Sequence, residues 1–233
     1  MIRGIMIRKL SILCLSILFC GSVAWAADSA GNRKDSIIML GMAPIGIHAA
    51  TVYGAPARVA VILGDLTVGI DAGSGSPSIK CTKCMNWSTE STGTYTNQGL
   101  NVRYFFGNSF NASLGYHMRN FSGITTTKDL TLDWGGWTYQ TETFAVDTES
   151  SVVTIGIGNH WLMDWGLWIG GDWVLASSGL GQTKVVTSTG TTTGSPTATQ
   201  RDWFKIYADR AADGINDASA GAGFAQFTIG FAF

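Results

Sequence analysis

Between residues 99 and 120 apolar and polar side chains alternate with a period of two, interrupted once. Leu100, Val102, Tyr104 and Phe106 are separated by Asn101, Arg103 and Phe105, and Phe110, Ala112, Leu114, Tyr116 and Met118 by Asn111, Ser113, Gly115, His117 and Arg119. That period predicts two strands, and Gly107-Asn108-Ser109 between them has the composition of a tight turn. Pairing 106 with 110 sets 104 against 112, 102 against 114 and 100 against 116, so apolar meets apolar on one face. A slip of one residue would destroy that agreement. A second hairpin passes the same test. Val153, Ile155 and Ile157 alternate in 152–158, and Leu167, Ile169, Trp173 and Leu175 mark 166–176, with Thr154, Gly156, Gly158, Gly170 and Asp172 opposite. Pairing 158 with 166 places 157 against 167 and 155 against 169. The segment 224–233 alternates as well, with Phe227, Ile229, Phe231 and Phe233 on one face and Gln226, Thr228 and Gly230 on the other.

Other strands are less regular. Residues 58–72 read as one strand bulged at Gly64-Asp65, and 137–147 as a polar one. These segments make seven strands. Single-chain bacterial barrels close with an even number, so an eighth is expected at 183–188 or 203–209. The latter also reads as a helix, because Trp203, Ile206, Tyr207 and Arg210 recur at helical spacing. Residues 73–97 and 122–136 are rich in Ser, Thr and Gly and are expected to be long loops, whereas 107–109 and 148–151 are short turns. The stretch 177–200 would be a long connection on the short-turn side.

The first 26 residues have the form of a cleaved secretory leader: Arg3, Arg8 and Lys9, an apolar run from Leu10 to Phe19, then Ala24-Trp25-Ala26. Cys20 before Gly21 offers lipidation as an alternative, although Phe19 is large where that signal takes a small residue. Residues 27–36 are expected to be a flexible lead-in. Residues 37–57 carry no formal charge and are long enough to span a bilayer as a helix. Three glycines, two prolines and His48 favour an extended or partly buried segment instead.

Charged residues make up 13% of the chain, about half the usual share of a soluble protein. With abundant Gly and Trp this suits a chain whose outer surface meets lipid; a secreted β-sandwich is the alternative. The leader takes three basic and no acidic residues with it, so the formal charge of −1 becomes −4. No basic excess remains to bind nucleic acid. Cys81-Thr82-Lys83-Cys84 lies in an expected exposed loop of an exported chain, which suggests a local disulfide. A metal site lacks a second Cys/His pair, a redox-active pair lacks its βαβ context, and free thiols are the remaining alternative. Arg103, His117, Arg119, Glu142 and Asp172 fall opposite the apolar positions of their strands. In a closed sheet they point inward, where they form an ion-pair network, with a narrow conducting path or a catalytic site as alternatives. Trp161, Trp165, Trp168 and Trp173 around one hairpin tip, with Trp134 and Trp137 nearby in sequence, suggest an aromatic girdle or a ligand platform. No GxSxG, HExxH, Walker A or GxGxxG pattern occurs, so no catalytic residue, metal ligand or cofactor is assigned.

The last ten residues resemble the terminal strand of bacterial outer-membrane barrels, in which a terminal Phe is read by the assembly machinery. The pattern as a whole is similar to the small barrels of the OmpA/OmpX/OmpW type. The resemblance implies a closed antiparallel transmembrane β-barrel of about eight strands, with a short helix near 201–213. The implied division is a signal peptide over 1–26, a lead-in and apolar segment over 27–57, and the barrel over 58–233. It makes Phe227, Ile229, Phe231 and Phe233 the assembly signal. It implies a monomer in the outer membrane, whose partners are lipid, the barrel assembly machinery and a surface ligand held by the loops. The expected role is non-enzymatic, in envelope structure or surface interaction. A narrow channel for small or apolar solutes and a lipid-modifying enzyme are the alternatives. His117 with Ser113 or Ser122 does not reproduce the motifs of barrel deacylases or palmitoyltransferases.

Overall fold

The computed structural model describes residues 28–47, 56–76, 78–84, 87–129, 141–193, 198–220 and 223–233. A short helix α1 (Ser29–Asp35) precedes β1 (Ile38–Ile47), β2 (Ala57–Leu63), β3 (Leu66–Gly75), β4 (Ser78–Cys84), β5 (Trp87–Phe105), β6 (Phe110–Asp129), β7 (Thr141–Leu162) and β8 (Leu167–Thr193). A long helix α2 (Ala198–Ala220) and β9 (Gly223–Ala232) complete the chain. The nine strands form one antiparallel sheet in the order β3-β2-β1-β9-β8-β7-β6-β5-β4, and an additional β3–β5 pairing closes it into a ring. Stepping three residues along each strand from Gly75↔Tyr95 leads to Ser78↔Thr92, the first pair of β4 with β5. β3 and β4 therefore pair with successive stretches of β5.

Residues expected to alternate do so around this ring. Phe231 pairs with Leu40, Leu40 with Val59, Val59 with Ile70, Ile70 with Leu100, and Leu100 with Tyr116. The side chains of this row face outward and are exposed. The residues between them are buried and largely polar, among them Arg58, Asp71, Asn101 and Arg103. The first hairpin has the register read from its sequence, with 104 against 112 and 100 against 116.

Strand lengths divide the wall in two. β1, β2 and β9 have 10, 7 and 10 residues, whereas β5 to β8 have 19, 20, 22 and 27. The tall side continues past the apolar row with outward Thr92, Thr94, Thr96 and Ser122. Helix α2 packs against β5–β8 of this extension. Phe204, Ala208, Ala212 and Ile215 recur at helical spacing and meet Tyr95, Phe121, Phe144 and Val146. A second apolar cluster, Met39, Ala60, Ile62, Phe105, Leu162, Trp168 and Ala232, fills the opposite end, beside the short turns.

Several sequence expectations need correction. The Ser/Thr/Gly stretches expected as loops are strand over 73–75, 78–84, 87–97 and 122–129. Residues 148–151 are not a turn but the middle of β7. Gly64-Asp65 is not a bulge within one strand but a two-residue turn between β2 and β3, with Leu63 paired to Leu66 and Gly64 at φ +66°. The second hairpin keeps neither its register nor, past the register shift at Asp172–Val174, its faces, since Leu175 meets inward Gly156. β7 runs on to Leu162 and turns through Gly166 at φ +91°, so Ile157 meets Val174 and Ile155 meets Ala176. Residues 177–193 extend β8 on the tall side, so this connection does not lie among the short turns. Segment 203–209 is helix, within α2, and 183–188 is strand. The lead-in holds helix α1, and β1 lies within the apolar segment, so the ring begins at residue 38 rather than 58.

Candidate functional site

Everything polar in the lower half of the ring converges on its interior. The register sets Arg58 directly against Asp71. The guanidinium grips that carboxylate through Nε (2.6 Å) and Nη2 (3.0 Å), and Asn101 Nδ2 donates to Asp71 Oδ2 at 2.8 Å. Arg103 reaches β8, donating from Nη1 to Asp172 Oδ1 at 2.5 Å and from Nη2 to Oδ2 at 2.9 Å, and Nη1 also meets Asn111 Oδ1. Trp168 Nε1–H can only donate, and it donates to His160 Nδ1 at 3.0 Å. His160 is thereby fixed as the tautomer whose Nε2–H faces Asp172 Oδ1, at 3.3 Å. Two arginines answer two aspartates, so charge is balanced among these four buried groups. Buried ions this well satisfied contribute mainly by avoiding the larger cost of a lone one.

Glycines on the inner face make room for rings. A Cβ added to Gly99 would lie 2.4 Å from His117 Nδ1, and one on Gly170 would lie 2.3 Å from His160 Cγ. Both imidazoles therefore lie flat against glycine backbone. Beside His117 remains a cavity of about 30 Å³, lined among others by Arg58, Asp71, Asn101, Arg103 and Gln226.

The short-turn end is stoppered by α1. Asp28 caps it, accepting from Gly31 N–H at 2.9 Å. Arg33, wholly buried, lies 4.0 Å over the Phe105 ring and donates to the carbonyls of Gly107 (2.7 Å) and Asn108 (2.6 Å), to Ser29 Oγ and to Asp65 Oδ1. Burial lowers its pKa from the ordinary guanidinium value, while Asp65 acts in the opposite direction. Asn32 Nδ2 adds bonds to Leu162 O and Asp164 Oδ1, both 2.9 Å. About two turns of helix thus tie together three separate hairpin tips.

The five charged residues expected inside are all buried: Arg103, His117, Arg119, Glu142 and Asp172. They do not form one network. Arg103 and Asp172 meet, Arg119 donates to Asn97 Oδ1 at 3.0 Å, and Glu142 accepts from Ser188 Oγ at 2.6 Å, high on the tall side. His117 shares the cavity with Ser113. The expected girdle around 161–173 is divided, because Trp168 is an interior residue and Trp165 is exposed against Phe231, 6.0 Å away. Tyr104, Phe106 and Phe110 are exposed at the same rim, with successive rings 4.9 and 6.0 Å apart. Phe227, Phe231 and Phe233 are exposed on the outer side, and Phe233 O accepts from Ile37 and Ile38 N–H. Cys81 and Cys84 belong to strand β4, not to a loop. The register against β5 shifts between them. Trp134 and Trp137 lie outside the described residues.

The Arg58–Asp71 pair, His160 and Arg33 escaped the sequence reading. Arg58 and Asp71 would have been found had Gly64-Asp65 been taken as a turn, since the hairpin places them opposite. His160 was hidden by the register of the second hairpin, and Arg33 by contacts that span more than 70 residues of chain. Chemically, the His160–Asp172 pair cannot activate a nucleophile, because Trp168 occupies the lone pair of Nδ1 and Asp172 faces the N–H of Nε2. Among the described residues no group of three or more His, Cys, Asp and Glu side chains is placed to hold a metal ion. Compared with known proteins, the chain matches no family model, no curated protein and no solved structure.

Proposed function

We propose that this chain is a non-enzymatic β-barrel of the bacterial outer membrane, acting in envelope structure or surface interaction. One observation carries the reading: the sheet is inside out relative to a water-soluble one. Its buried side holds Arg58, Asp71, Arg103, Asp172 and His160, while Leu100, Leu114, Ile70, Ile155 and Phe231 are more than half exposed on the other. Exposed apolar area that encircles a molecule marks contact with another apolar phase, and a closed sheet is one of the two backbone arrangements that lipid tolerates. The 10 residues of β1 and of β9 match a tilted crossing of about 9–11. The tall side of β5–β8, with Thr and Ser outward, then stands clear of the bilayer as a surface for other molecules. Two apolar plugs and α1 leave the interior filled, which favours this role over conduction.

The test is folding into lipid. Purified protein added to phosphatidylcholine vesicles should become protected from protease over β1–β3 and β9. It should also run faster on gels unheated than boiled, and it should conduct no current in planar bilayers. A protein that stays monomeric and soluble without detergent or lipid would end the proposal.

A further inference from the structure

The cavity at mid-height has more hydrogen-bonding capacity than the protein uses. Gln226 is 7% exposed, and its register sets it against Asp172 on one side and Gly46 on the other. It lines the cavity, and its amide meets no side chain or backbone group among the described residues. Asn101 spends Nδ2 on Asp71 and keeps Oδ1. His117 is 7% exposed and presents its imidazole to the same cavity. These three groups come from β9, β5 and β6, strands that are not all neighbours in the ring. Buried amide and imidazole groups left unsatisfied would cost about 1–3 kcal/mol each.

We infer that the chamber is a binding site for a resident pair of water molecules, which bridge Gln226, Asn101 Oδ1 and the His117 imidazole. Size supports this count: the cavity measures about 30 Å³, and one water needs roughly 10–15 Å³ of such space and two to four polar partners. Charge supports water over an ion. The two guanidinium groups in the wall, Arg58 and Arg103, are each matched by an aspartate, so the charges of the lining itself cancel. One water accepts from the Gln226 Nε2–H and donates to Asn101 Oδ1. The second donates to Gln226 Oε1 and exchanges a hydrogen bond with His117. The pair joins β9 to the wall of β5 and β6 through the interior, where no side-chain hydrogen bond links them directly among the described residues.

The experiment is a crystal structure of the full chain in detergent at a resolution that shows ordered water, with a bromide-soaked crystal and the Gln226→Met variant alongside. Methionine keeps the length of glutamine and removes its amide. The expected result is two ordered waters in the wild-type chamber, no anomalous bromide signal there, and loss of at least one water in the variant. Waters unchanged in the variant would overturn the assignment, as would a chamber without density while waters are ordered elsewhere, or bromide in the chamber. Should the variant not fold, the wild-type and bromide crystals still decide the matter, independently of whether the outer surface meets lipid.

Discussion

Replacing Arg103 by Met would leave Asp172, 1% exposed, with only the 3.3 Å contact from His160 in place of its two guanidinium bonds. Breaking a buried pair from one side costs about 3–5 kcal/mol, and each 1.4 kcal/mol is tenfold in an equilibrium constant. The folded-to-unfolded ratio should therefore fall by roughly 10²–10⁴. Removing both charges, as Arg103→Met with Asp172→Leu, takes away the stranded carboxylate. It leaves Asn111 Oδ1 and His160 Nε2 short of a partner, at roughly 1–3 kcal/mol each. The double variant should consequently be more stable than the sum of the two singles predicts, by at least about 1 kcal/mol, the usual scale of coupling between groups in contact. Reversible urea unfolding in lipid vesicles, followed by Trp fluorescence and by heat-modifiable mobility, measures all four corners of this cycle. Additive losses would refute the description of Arg103 and Asp172 as one buried pair, and so would an Arg103→Met variant within about 1 kcal/mol of wild type.

Three further outcomes are expected. Leu114→Arg, outward on the apolar row, should destabilise folding into lipid by about 2–4 kcal/mol, while Thr94→Arg, outward on the tall extension, should change it by less than about 0.5 kcal/mol; equal effects would contradict the membrane assignment. Cys81 and Cys84 should react with a maleimide only after reduction, as a local disulfide requires, and labelling of both thiols without reductant would rule that disulfide out. Deleting Phe233, whose carbonyl accepts from Ile37 and Ile38 N–H, should lower the yield in the outer-membrane fraction, and an unchanged yield would remove the terminal strand's role as an assembly signal.

What the sequence disclosed depended on contrast between the two faces of a strand. From 99 to 120 one face is apolar and the other polar, and parity alone gave the register of β5 with β6 and the buried positions of Arg103, His117 and Arg119. Above that hairpin the outer face is Thr and Ser, and the inner face mixes Thr with residues that meet α2. Both faces then look polar, and a strand reads as a loop. β1 was obscured because Gly41, Pro44 and Gly46 interrupt its alternation. The second hairpin slipped because Asn159 to Leu162 continue the period of two past the expected turn. Only Gly166, with its left-handed backbone, marks the true one. Helix α1 has no amphipathic run to betray it. It is held by turn carbonyls that come together only once the ring exists.

The pairing of Met39 with Ala232 has a consequence for the order in which the molecule forms. Hairpins such as β5–β6 close a loop of a few residues, whereas this seam joins segments more than 190 positions apart. By the logarithmic growth of closure entropy, the seam carries roughly 3 kcal/mol more than a tight hairpin. The meander from β5 to β8 can therefore assemble early, strand upon strand, while β1 and β9 wait as two unpaired borders. Until they meet, each border presents a row of open backbone donors and acceptors to any neighbouring chain. The unclosed form is thus the vulnerable stage of folding. The step that joins β1 to β9 is then the one that commits it to the folded state.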